Sequence, residues 1–347
     1  MSWTLSRTAP GIAPAFALLA LCACVLFSPR VRAADAAVAA SPVLGDRYPH
    51  QPVMFADNVE SFADLVYSVQ PGYRPVILDL YRPKAKASAT GRPLVVYIHG
   101  GGWQSGHTRQ SGAFENWPAV LASIAAKGYV VVSLEYRLSR EAPFPAAVQD
   151  VKSAIRWLRA NAAEYGIDKT RAVVWGGSAG GQLAALVATS CGVASLAPVT
   201  TDKESDCVQG FIAWYGIFDF STMTGFGPSA APAADAPSET ITRYLGCSAS
   251  GCSKDALATG SAVTYLDSKD PPGLLIHGEL DKVVPVKQSR DFSEALKAKG
   301  VPVQLTVIPG VDHSFVGPTQ EATRSASLAA LAQSIAFIDA TIGGKRP

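Results

Sequence analysis

The chain has 347 residues, 48% hydrophobic and 17% charged, which excludes a disordered protein and provides for a large buried core. Its 30 basic and 28 acidic residues nearly cancel, so nothing in the balance points to nucleic acid or an anionic membrane as a partner.

At the start of the chain, Arg7 precedes an uncharged apolar stretch, Gly11 to Phe27, and then Val31-Arg32-Ala33. A basic start, a short apolar segment and a small-residue exit predict an export signal over residues 1–33, cut after Ala33. A retained anchor is the competing reading, but the span is short for a bilayer and is interrupted by Pro14. Leu21-Cys22-Ala23-Cys24 also fits a lipoprotein cleavage box, with Cys24 as the lipidated residue. Cleavage after Ala33 would remove three of the 30 basic residues and no acidic one, leaving 27 against 28. No membrane partner is expected for that mature chain. It would keep Cys191, Cys207, Cys247 and Cys252, an even set that in an exported protein reads as disulfides. Three pairings are possible. Cys191–Cys207 and Cys247–Cys252 are the expected ones, because each closes a short polar loop after a helical stretch. No metal-ligand spacing and no cofactor motif is present.

Residues 34–62 are rich in Pro and Ala and predict an extended lead-in. Ala63 to Val69 and Val76 to Tyr81 alternate apolar with polar residues around Pro71-Gly72, the pattern of a half-exposed hairpin. From residue 93 the strands become apolar throughout: Leu94 to Ile98, Tyr129 to Leu134, Arg171 to Trp175, Phe211 to Tyr215, Leu274 to Ile276 and Val303 to Ile308. Between them lie helical stretches near 119–126, 145–158, 182–188 and 285–298, with a closing helix over 325–342. Such alternation predicts a mostly parallel sheet with helices on both faces and the hairpin as its antiparallel edge, one α/β domain over residues 63–347. Residues 220–270 break the rhythm. Rich in Ser, Ala, Pro and Gly, they predict a small insertion over the site, with short helices near 239–245 and 254–258.

Chemistry concentrates at Gly176-Gly177-Ser178-Ala179-Gly180-Gly181, a serine at a strand-to-helix junction flanked by glycines. This is the context of a nucleophile elbow. A serine needs a base and the base an orienting acid. His313 lies in the loop between the last strand and the last helix, beyond the carboxyl ends of the strands where such a base belongs. Asp281 follows the preceding strand in His277-Gly278-Glu279-Leu280-Asp281 and is the expected acid, with Glu279 as the alternative. Asp312 is expected to point away from the imidazole. His99-Gly100-Gly101-Gly102 ends a strand and supplies bare N–H groups, so Gly101, Gly102 and Ala179 are the expected oxyanion donors. Trp103, Trp214 and Tyr215 are the candidate substrate contacts.

The serine elbow, the glycine loop and the chain order Ser178…Asp281…His313 resemble the α/β-hydrolase fold. Glu135-Tyr136-Arg137-Leu138 and Phe144-Pro145-Ala146-Ala147 narrow the resemblance to exported bacterial carboxylesterases of the feruloyl-esterase-like (BD-FAE) and hormone-sensitive-lipase-like groups. It covers about residues 63–342. Gly177 stands where the hormone-sensitive-lipase pattern has Asp, Glu135 replaces the Asp of its Asp-Tyr-Arg motif, and the lead-in is too short for its helical cap. These departures favour the feruloyl-esterase-like branch. The resemblance implies hydrolysis of short-chain or aromatic carboxylic esters, small or polysaccharide-borne, through an acyl-enzyme. Prolyl-oligopeptidase-type peptidases share the fold and triad order but resemble Gly-x-Ser-Tyr-Gly-Gly, with Tyr where this chain has Ala179; an arylformamidase is a further alternative. Some members of the fold are binding proteins that have lost a triad residue, but here all three are present. Oligomeric state is not legible.

Overall fold

The computed structural model describes residues 51–198, 200–223, 238–248 and 251–343. The expected export signal, most of the lead-in including His50, and residues 224–237 of the insertion lie outside the described residues.

Among the described residues nine strands form one sheet: β1 (Val53–Phe55), β2 (Val59–Ser68), β3 (Val76–Pro83), β4 (Arg92–Ile98), β5 (Val130–Leu134), β6 (Ile167–Gly177), β7 (Gly210–Trp214), β8 (Gly273–Gly278) and β9 (Val303–Ile308). Their spatial order is β1-β2-β3-β5-β4-β6-β7-β8-β9. β1 to β3 run antiparallel and join β5 antiparallel, whereas β5, β4 and β6 to β9 are mutually parallel. The antiparallel edge therefore has three strands instead of two. β1 and the start of β2 fall inside the expected lead-in, joined by a tight turn with Asp57 and Asn58 at positive φ. A three-residue strand is too short to leave a periodic trace.

Among the described residues eight α-helices accompany the sheet: α1 (Trp117–Ala125), α2 (Ala146–Ala160), α3 (Ala162–Tyr165), α4 (Ala179–Thr189), α5 (Glu239–Leu245), α6 (Lys254–Gly260), α7 (Lys287–Ala298) and α8 (Gln320–Thr341). The central strands are apolar throughout because both faces are covered. Leu94, Val96 and Ile98 pack toward α2 and α4, while Val95, Tyr97 and Trp175 pack toward α1 and α8. α8 begins five residues before the expected helix. Its first turns are polar and give no hydrophobic period, and the start is set instead by Thr319, whose hydroxyl accepts the Ala322 N–H at 3.1 Å.

In the insertion, Ser238 and Ser253 cap α5 and α6. α5 buries Ile241, Tyr244 and Leu245 against the main core. Cys191 is joined to Cys207 and Cys247 to Cys252, the pairing expected from the loops. No helix among the described residues is long and apolar enough to cross a membrane.

Candidate active site

β6 ends at Gly177 and α4 begins at Ala179, so Ser178 is the single residue on which the chain reverses. It takes φ 56° and ψ −120°, a conformation that costs an L-residue of order 1–3 kcal/mol and persists only where the surroundings impose it. Here they do: the Ser178 N–H donates to the Trp214 carbonyl at 2.9 Å, and its carbonyl accepts the Gln182 N–H at 3.0 Å. A Cβ at Gly176 or Gly180 would collide with the facing backbone of Gly180 or Ile98. The glycines are thus demanded by the close approach of helix and strand.

The hydroxyl of Ser178 lies 2.9 Å from His313 Nε2, and His313 Nδ1 lies 2.7 Å from Asp281 Oδ2. His313 is presented by a one-turn segment, His313–Phe315, in which Ser314 and Phe315 both have positive φ. The Tyr215 ring stands edge-on to the imidazole at 4.8 Å. Asp281 is buried, and its other oxygen accepts the N–H groups of Val283 and Val284 at 2.9 and 2.8 Å. A second histidine, His277, approaches Oδ2 at 3.2 Å. Burial by itself would raise the Asp281 carboxyl. Hydrogen bonds from His277 and His313, the charge of His313 when protonated and the Val284 N–H outweigh burial and hold the group well below the usual carboxylate range. Glu279 is exposed and accepts the Gly310 N–H at 3.3 Å, turned from the imidazole. Asp312 turns away, as expected, to accept the His313 and Lys282 backbone N–H groups at 2.7 and 2.9 Å.

Gly101 and Gly102 have φ of 109° and 61°, and with Ala179 they line the same cavity as Ser178 and His313. Ala179 opens α4, where free N–H groups favour negative charge. The neighbouring His99 is buried, and burial pushes its imidazole down to about 4. Neutral, it donates from Nδ1 to the Gly100 carbonyl at 2.7 Å, and it stacks on Tyr136 at 4.4 Å. It therefore shapes the glycine loop and stays out of the relay.

The three candidate substrate contacts separate. Trp103 lines the cavity but is only 2% exposed. Its ring stacks on Tyr244 at 4.1 Å, and its N–H donates to Gln182 Oε1 at 3.0 Å. Tyr215 lines the cavity beside His313. Trp214 does not belong to the lining. It is fully buried on the opposite face of the sheet, edge-on to Trp175 at 4.8 Å and donating to Ser334 Oγ at 3.0 Å. Strand alternation sends its side chain into the α8 layer, so it is a core residue.

The cavity encloses about 690 Å³. Its apolar lining includes Ile217, Met223, Ile241 and Val284, from the segments after β7 and β8 and from α5. Its polar lining includes Ser105, Arg109, Gln110 and Glu115, from the loop after β4. Sequence reasoning did not find the residue that holds this loop, Asp79 on β3. That carboxylate is 1% exposed and accepts from the Asp64 N–H, the Thr108 hydroxyl and the Arg109 guanidinium. Gln182 was equally unremarked, and both have their partners far away in the chain. Among the described residues no group of His, Cys, Asp and Glu is arranged to hold a metal ion.

Residues 78–296 match the BD-FAE family and residues 259–341 the dienelactone hydrolase family. The chain belongs to the BD-FAE family of α/β-hydrolases. Among curated relatives, esterase LipQ of Mycobacterium tuberculosis is 31% identical over 77% of this chain and 60% of its own length. Esterase LipC of the same organism is 30% identical and is also matched over 60% of its length, so the chain spans less than two thirds of either. Among solved structures, the butyrate-bound esterase 2 of Thermogutta terrifontis superposes with a TM-score of 0.65 at 25% identity, covering 82% of this chain and 95% of its own. A truncated carbohydrate esterase from gut microbiota gives 0.67 at 23% identity, covering 84% and 99%, a likeness of fold. These BD-FAE and esterase matches bear on the fold as a whole; the role of each side chain rests on the geometry above.

Proposed function

We propose that this BD-FAE chain is a serine carboxylesterase that cleaves short-chain or aromatic esters through an acyl-enzyme. One observation carries the reading: Ser178, His313 and Asp281 lie in hydrogen-bond succession at the mouth of a cavity that Gly101, Gly102 and Ala179 also line. In the proposed reaction His313 Nε2 takes the Ser178 proton as Oγ attacks the ester carbonyl, while Asp281 keeps the imidazole in the Nδ1–H tautomer and stabilises the imidazolium. Negative charge on the carbonyl oxygen is met by the N–H groups of Gly101, Gly102 and Ala179. His313 then gives its proton to the departing alkoxide. Water enters, the steps repeat with His313 as base, and the acid is released.

Two disulfides support an oxidising compartment and, with residues 1–33 read as a signal, export from the cytoplasm. The described part of the insertion is short and buries its few large apolar side chains inward, which argues against a lid that opens on lipid. An acyl-length series of p-nitrophenyl esters, from acetate to palmitate, run below and above the solubility limit, tests the reading. Peak activity from acetate to hexanoate, abolished in Ser178→Ala, is the expected result. A maximum at dodecanoate or longer that rises once droplets form would overturn it.

A further inference from the structure

We propose that His277 is a positioning residue for turnover, acting on His313 through the carboxylate that the two imidazoles share. The inference rests on the esterase reading above and adds a member behind the acid. Asp281 Oδ2 faces His313 Nδ1 at 2.7 Å and His277 Nε2 at 3.2 Å. Its other oxygen accepts the Val283 and Val284 N–H groups of the local turn. Only Oδ2 meets a base whose charge changes during turnover. A second donor on that oxygen competes with His313 for it.

The tautomer of His277 follows from its neighbours. The ring is fully buried near the end of β8. Nε2 lies 2.9 Å from the Val284 carbonyl, which can only accept, so Nε2 carries a proton. Nδ1 lies 2.7 Å from the hydroxyl of Ser289 on α7, which is also fully buried. In a neutral ring Nδ1 accepts, and Ser289 donates to it. Ser289 thus holds the proton on Nε2, where it is split between the Val284 carbonyl and Asp281 Oδ2. The frame behind this succession is tight. A Cβ at Gly278 would lie 2.6 Å from the Val311 carbonyl and 2.7 Å from that of Asp312, so the end of β8 abuts the His313 loop.

The consequence is electrostatic. A carboxylate that accepts one more hydrogen bond favours an adjacent imidazolium less strongly. His277 therefore restrains the basicity of His313, which leaves the imidazole free to take the Ser178 proton. The remaining groups about His313 are the Ser178 hydroxyl from the elbow, the Tyr215 ring after β7 and its neighbour Asp312, which pairs with Lys282 at 3.5 Å. Arg109 and Glu115 share the cavity lining with it.

The test measures kcat and kcat/KM on p-nitrophenyl acetate from about pH 5 to 9 in wild type, His277→Leu, His277→Gln and Ser289→Ala. The acid limb of kcat/KM reads the protonation of the coupled His277–Asp281–His313 set in the free enzyme. His277→Leu removes the donor and should move that limb upward by about 0.5–1 pH unit, with plateau kcat about tenfold lower. His277→Gln keeps a donor and an acceptor on a side chain that does not titrate, so the limb should stay within about 0.2 unit and kcat within about threefold. Ser289→Ala releases the tautomer and should move the limb in the same direction by less. It decides the matter if His277→Leu fails to fold. A lowered plateau with an unmoved limb in both variants would overturn the inference, because general loosening scales activity without shifting it. Equal limb shifts in His277→Leu and His277→Gln would also overturn it, since the donor would then not be the cause. Wild-type protein inert on p-nitrophenyl esters of every acyl length would instead bring down the esterase reading itself, and the inference with it.

Discussion

Two buried aspartates organise different parts of the cavity wall. Asp281 takes hydrogen bonds from two backbone N–H groups and faces two imidazoles, His313 at 2.7 Å and His277 at 3.2 Å. Asp79 takes the same number of contacts, from a backbone N–H, a hydroxyl and the Nε and Nη2 donors of Arg109. Each carboxylate is satisfied on both oxygens, which is what burying one requires. The difference lies in the partner. His313 can gain and lose a proton, so the anion beside it serves a changing charge. Arg109 cannot, so the anion beside it fixes a shape. A buried aspartate in such a wall is therefore informative only together with what it holds.

The largest effect that can break this division is on turnover. Ser178→Ala and His313→Ala should each lower kcat on p-nitrophenyl acetate by about 10³-fold or more. Asp281→Asn should lower kcat by about 10²- to 10⁴-fold, because an amide cannot enforce the tautomer. Glu279→Gln should stay within about twofold on the same assay. Heavier damage from Glu279→Gln than from Asp281→Asn would reassign the acid.

Asp79→Asn should act in the other way, on stability first. Loss of the anion that Arg109 faces should cost about 2–3 kcal/mol in denaturant unfolding, with a smaller loss of kcat on p-nitrophenyl acetate than Asp281→Asn produces. If the two variants fell equally in kcat and left stability alone, the contrast between them would disappear.

A third aspartate sharpens the comparison with the smallest effect. Asp270 is half-buried without a cation, and burial, only partly offset by the Asp267 N–H, pushes it up to about 6. A carboxyl raised in the folded state destabilises the fold once ionised. That penalty is absent below about 4, grows through about 6 and is complete above it. Asp270→Asn should therefore raise the melting temperature by about 1–3 °C at pH 7.5 and give no gain at pH 4. A gain of equal size at both pH values would refute the electrostatic cause.

What the sequence made legible follows from how local each requirement is. The elbow shows because close backbone approach demands glycine on either side of Ser178, all within six residues. Asp281 and His313 show because each ends a connection at the carboxyl edge of a readable strand. Asp79 did not show, since its meaning depends on Arg109, 30 positions later, and on a register irregularity that leaves no compositional mark. Gln182 is tied to Trp103 across 79 positions and reads locally as one more helix residue. Trp214 misled because a strand's last aromatic can face either layer, and nothing short of the neighbouring helix decides which. The three-strand edge was cut short in the reading because its first strand is three residues long.

The aromatic arrangement has an optical consequence. Trp117, Trp175 and Trp214 sit in succession with centroids 5.5 and 4.8 Å apart, close enough to exchange excitation. They belong to the core layer shared with α1 and α8, and none of the three lines the cavity itself. Their emission and near-ultraviolet dichroism would report chiefly whether that layer is packed. Trp103, stacked on Tyr244 at the cavity wall, is the chromophore placed to sense occupancy. Subtracting the spectrum of a Trp103→Phe variant would separate a binding signal from a folding signal in one protein.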